Sequence, residues 1–112
     1  MRILGPILIL LATAACAPTA LLPEAASVEI VDIRPNSSSC KLLGEVIGSQ
    51  GDVFTAELTS NKNLILGARN ALRNETSKLG GNVVYVHEHI TTGGQEGIAN
   101  TTIVGKAYKC PR

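Results

Sequence analysis

Apolar residues follow a changing rhythm along this chain. They begin as an almost unbroken run from Ile3 to Ala12, with Arg2 the only charge ahead of it. That run suits the apolar part of a signal sequence and is short of the roughly 20 residues a membrane-spanning helix needs. Residues 17–26 lose the pattern; Pro18, Pro23 and small side chains read as a tether. From Ser27 to Ile33 the residues are β-branched and partly alternating, as in a strand. Arg34 to Ser39 is a turn, and Lys41 to Gly48 a second strand. Gly44 and Gly48 within that strand suggest a bulge or a close backbone approach. Ser49 to Thr59 has no clear period and reads as a loop.

The period then becomes helical. Ser60 and Asn61 offer an N-cap, and Lys62 to Leu79 reads as a helix. Leu64, Ala68, Ala71, Leu72 and Leu79 fall on one side, with Arg69 and Arg73 one turn apart on another and Asn70 and Asn74 nearby. Gly80-Gly81 ends the helix, since glycine takes the left-handed cap conformation freely. Asn82 to Ile90 is a third strand, Thr91 to Gly97 a turn, and Asn100 to Lys109 a last strand. The order β-β-α-β-β implies a two-layer α+β domain, with one helix on a mostly antiparallel four-stranded sheet.

Cys16 follows the apolar run directly, after Thr13, Ala14 and Ala15. This pattern resembles a bacterial lipoprotein signal, in which the cysteine is acylated, with palmitate among the acyl chains, and becomes the first mature residue. Thr13 stands where such signals usually carry Leu, and Ala12-Thr13-Ala14 also fits the cleavage site of an ordinary secretory signal. Ala17, rather than Asp, implies export to the outer membrane. The expected organisation is a signal peptide over 1–15, a lipidated cysteine and tether over 16–26, and an extracytoplasmic domain over 27–112.

Composition changes the picture in two ways. Without Arg2 the Lys and Arg count falls from 10 to 9 against 9 Asp and Glu, so the mature chain has no net formal charge. Nucleic acid is excluded as a partner by that balance and by the compartment. Of the three cysteines, Cys40 and Cys110 remain once Cys16 carries lipid, an even pair in an oxidising compartment. A bond between them would close a loop of about 70 residues, worth about 4 kcal/mol in the chain-entropy view. Two free thiols or a redox pair are the alternatives, though Cys-x-x-Cys spacing is absent.

Several motifs occur in order. They are Val28-Glu-Ile-Val-Asp32, Cys40-Lys-Leu-Leu-Gly-Glu-Val-Ile-Gly48 and Gly67-Ala-Arg-Asn-Ala-Leu-Arg-Asn74, then Leu79-Gly-Gly-Asn-Val-Val-Tyr85 and Val104-Gly-Lys-Ala-Tyr-Lys-Cys-Pro111. With the leader, they resemble a family of small bacterial lipoproteins catalogued as a domain of unknown function. More distantly they are similar to the Rcs envelope-stress sensor lipoprotein. The resemblance implies an extracytoplasmic α+β domain with a cysteine pair at Cys40 and Cys110, and it implies no activity. The sensor family has a second disulfide for which this chain has no cysteines.

Candidate chemistry is sparse. No catalytic constellation is visible, and Ser37 to Ser39 lacks a placed base. His87 and His89 are two apart on a strand, so both would reach one face and could share a metal, but two ligands are too few for a closed zinc site. Arg69, Arg73, Lys62 and Lys78 make the helix locally basic, suiting lipid headgroups, an acidic partner or plain solvation. The expected function is that of a non-enzymatic envelope protein, without cofactor, anchored through Cys16 to the outer membrane and facing the periplasm. It would serve as a binding or interaction module with an envelope partner and a connection to envelope stress. The alternative is a periplasmic metal-binding module built on His87 and His89.

Overall fold

The computed structural model describes residues 18–51, 61–94 and 97–112. The expected leader and Cys16, with residues 52–60 and 95–96, lie outside the described residues. A short 3-10 turn, Pro23–Ala25, precedes β1 (Glu29–Val31) and β2 (Lys41–Gln50). The helix α1 spans Asn61–Lys78 and is followed by β3 (Val83–Gly94) and β4 (Gly97–Lys109). The architecture is the α+β one that the hydrophobic pattern implies. The sheet order is β1-β3-β4-β2. β4 pairs antiparallel with both neighbours, whereas β1 runs parallel to β3, so the sheet is mixed.

The chain's punctuation explains these elements. At the end of α1, Gly80 takes φ +83°. Its amide donates to Ser77 O and the Gly81 amide to Thr76 O, both at 2.9 Å. Two otherwise orphaned carbonyls are satisfied in this way, and the chain turns towards β3. The two glycines of β2 do different work. Gly44 sits where the β2–β4 register slips between Leu42 and Gly44. At Gly48 a Cβ would collide with the Ala68 carbonyl and the Leu72 backbone, so glycine lets α1 lie directly on the strand.

The core is aliphatic. Leu64, Ala68 and Leu72 of α1 are fully buried, and Ala68 and Leu72 cluster with Val46 of β2, Val84 of β3 and Ile103 and Ala107 of β4. Leu79, expected on the same stripe, lies past the helix end and is 47% exposed. β3 and β4 run further than the alternation suggests. Thr91 to Gly94 and Gly97 to Ala99 continue the ladder, with Thr91 opposite Thr101 and Gly94 opposite Gly97. Backbone pairing extends the hairpin through threonines and glycines that read as a turn.

The expected tether requires a larger correction. From Pro18 onward it is part of the packed unit. Ala25 is buried in the core, and Leu21 and Leu22 pack against it. Polar side chains of α1 and β2 take up the backbone groups of this segment, which composition alone does not reveal.

Candidate functional site

Two rows of α1 meet the N-terminal segment. Asn70 and Asn74 are one turn apart and both buried. Asn70 Nδ2 donates to Thr19 O at 2.9 Å, and Asn74 Nδ2 donates to Ala20 O at 3.0 Å. The Leu22 amide in turn donates to Asn74 Oδ1 at 2.9 Å. From β2, Gln50 Oε1 accepts the Thr19 amide at 2.8 Å and also the Thr19 hydroxyl. Gly67 makes room for this, since a Cβ there would strike the Gln50 side chain. Further along, Ser77 Oγ donates to Glu24 O at 3.2 Å and Arg73 Nε to Val28 O at 3.2 Å. The segment from Thr19 to Val28 is therefore clamped along α1. Sequence reading missed this role for Gln50, Asn70 and Asn74. The available signal was two asparagines, poor helix formers, at i and i+4 inside a helix.

The neighbouring row of α1 carries Lys62, Leu66, Arg69 and Arg73. Leu66 is 41% exposed. Burial lowers the affinity of Arg73 for its proton, and repulsion from Arg69 adds to this. Arg69 borders a cleft of about 350 Å³ between α1, β1 and β3, whose apolar walls include Ile30, Ile65, Val86 and Ile103 and whose rim includes Asp32 and His89.

The histidines do not share a face. The β3–β4 register slips between Val86 and Glu88, leaving His87 in a bulge. His87 Nε2 lies 3.8 Å from Glu45 Oε2, and its ring is 6.2 Å from that of Tyr85. Both neighbours belong to the sheet face away from α1. His89 is paired with the buried Ile103 and borders the cleft on the helix side. One extra residue in the strand breaks the two-residue alternation that would have joined the imidazoles. The pair therefore does not form the shared metal site that its spacing suggested. Among the described residues, no three His, Cys, Asp or Glu side chains gather as metal ligands.

At the opposite end of the sheet, Cys40 and Cys110 have α-carbons 4.2 Å apart and sulfurs 2.16 Å apart, a pair compatible with a disulfide. They follow from the pairing of Lys41 with Lys109 at the start of β2 and the end of β4. Asn82 fixes this corner. Its side chain exchanges two 2.8 Å hydrogen bonds with the Cys110 backbone. The loop from Asp32 to Ser39 crosses the sheet face away from α1, where the Arg34 guanidinium lies 5.8 Å from the Tyr85 ring centre. Between this loop, β1 and the C-terminus lies an open groove of about 770 Å³. Its charged lining, Glu29, Asp32, Arg34 and Arg112, is of mixed sign, and Arg112 is already engaged with Ser27 O at 2.9 Å. Among the described residues, no helix is long and apolar enough to cross a membrane.

These features define a small α+β domain with a clamped N-terminal segment and a cysteine pair joining β2 to the C-terminus. Residues 19–110 match the family described as a domain of unknown function, DUF4156, and the chain belongs to that family. It is also similar to "Uncharacterized protein YjeI" of Escherichia coli (strain K12), 34% identical over 87 residues. That alignment covers 76% of this chain and 74% of the relative, and the Shigella flexneri protein of the same name matches equally. The matched region begins at Thr19, the first clamped residue.

Proposed function

We propose that this protein is a lipid-anchored, non-enzymatic binding or interaction module of the bacterial outer membrane, facing the periplasm. The observation that carries the reading is the leader: an apolar run from Ile3 to Ala12, small residues, then Cys16 followed by Ala17. The cysteine pair at Cys40 and Cys110 supports an oxidising compartment. Several acyl chains on one cysteine give stable membrane attachment, where a single chain gives only marginal binding. A connection to envelope stress rests on the distant likeness to the Rcs sensor lipoprotein, and the module's partner would be an envelope protein.

The test is the intact mass of the protein from purified envelopes, combined with density fractionation. Acylated protein beginning at Cys16 and banding with outer membranes is the expected result. Cys16→Ser should accumulate unprocessed or soluble. A wild-type mass without lipid, in the soluble periplasmic fraction, would replace this reading with plain secretion.

A further inference from the structure

The clamp on the N-terminal segment sets how such an anchor would hold the domain. Thr19 is fixed to α1 and β2 by its amide, hydroxyl and carbonyl. Cys16 is three residues earlier. Fully extended, that stretch reaches only about 10 Å, roughly one helix diameter. A chain released at Ser27, after the expected tether over 16–26, could stand several times further from the bilayer. The clamp therefore converts a leash into a short stalk.

The surface beside the stalk has a definite character. On a helix, Lys62, Leu66, Arg69 and Arg73 form a row adjoining the one that carries Asn70 and Asn74. This row flanks the buried stripe of Ala68 and Leu72: Lys62 and Leu66 are exposed, Arg69 borders the cleft beside β1, and Arg73 is held on Val28 O. Lys62 and Arg69 have no hydrogen-bond or ion-pair partner among the described residues. Asp32 borders the same cleft as Arg69. Cations beside an exposed leucine suit an anionic headgroup layer with an apolar interior beneath it.

We propose that this flank of α1 is a membrane-facing surface, held against anionic lipid headgroups through Lys62, Leu66 and Arg69 by the clamp of Gln50, Asn70 and Asn74 on Thr19 to Leu22. This rests on acylation of Cys16, as argued above. The sheet face away from α1 would then point outward, leaving the Asp32–Ser39 loop and the large groove free to meet a partner.

The experiment is amine footprinting of the lipidated protein on vesicles of phosphatidylethanolamine and phosphatidylglycerol, compared with the same chain lacking its leader and Cys16. Lys62 should label several-fold more slowly on vesicles, while Lys41 and Lys109, at the cysteine end, label as in solution. Equal labelling of all three in both states overturns the proposal. A second protein carries a Gly-Ser insertion of about 20 residues between Ala17 and Pro18, a flexible span of about 25 Å that leaves the domain untouched. Protection of Lys62 should largely disappear there, although the protein stays bound; undiminished protection would mean that the short stalk does not orient the domain. The intact mass separates the two ideas. An unlipidated protein removes the anchor itself, whereas a lipidated protein with uniform labelling removes only the orientation.

Discussion

The two buried sides of α1 are held by different chemistry. Towards the sheet, Ala68 and Leu72 pack in one cluster with Val46, Val84 and Ala107, and one aliphatic group could replace another at modest cost. Towards the N-terminal segment, Asn70 and Asn74 meet main-chain groups at fixed distances, and no apolar residue could take their place without stranding a donor or acceptor. The first side makes the domain fold. The second decides where the chain leaves it. Shape-filling contacts tolerate sliding, whereas paired amides fix a segment in register, so the amide side specifies geometry that packing alone would leave loose.

The largest expected effect falls on neither side. Cys40→Ser with Cys110→Ser should cost about 4 kcal/mol, because a disulfide between this compatible pair would close a span of 70 residues. Urea unfolding monitored by circular dichroism would measure it. The loss should weaken both sides of α1 together, and a change confined to one of them would break the comparison. Next is Leu72→Ala, which removes a fully buried side chain. A cost of about 2–5 kcal/mol is expected, as a lower urea midpoint with every slowly exchanging amide affected.

Asn74→Ala sharpens the contrast. It leaves Ala20 O and the Leu22 amide without their partner, for a cost of about 1–3 kcal/mol. The signature is local: hydrogen exchange should speed at Leu22 while the β3–β4 ladder stays protected. A uniform acceleration would mean that the amide side is as much part of the core as Leu72. The smallest effect belongs to Leu66→Ser, on the exposed row. Its thermal midpoint in solution should correspond to a change within about 0.5 kcal/mol. A larger loss would show that this row is covered by the protein itself.

The same contrast explains what could be read in the sequence. The aliphatic side of α1 is legible because burial of Leu64, Ala68 and Leu72 imposes a period of 3.6. Gly80 and Gly81 are legible because the left-handed turn strongly favours glycine. The cysteine corner follows from counting thiols and agrees with the pairing of β2 and β4. The clamp is hidden, since an asparagine bonded to a backbone 51 residues away has the same one-letter code as a solvated one. Composition marks Pro18 to Ala26 as a tether because its satisfied polar groups lie on another element. The bulge at His87 is hidden for a related reason. No glycine or proline marks it, and one unannounced residue was enough to separate His87 from His89.

The position of β4 within the sheet has a consequence for timing. β4 is the last of the described strands in chain order and lies between β3 and β2. Until it emerges, β2 has no sheet partner, because its ladder runs from Lys41 opposite Lys109 to Gln50 opposite Thr101. β1 likewise waits for β3, more than a full helix later in the chain. A growing chain thus cannot close its sheet early, and productive contacts of such long sequence separation form slowly. Pairing of β2 therefore depends on residues 101–109, and the two strands that flank β4 are joined into one sheet only through it.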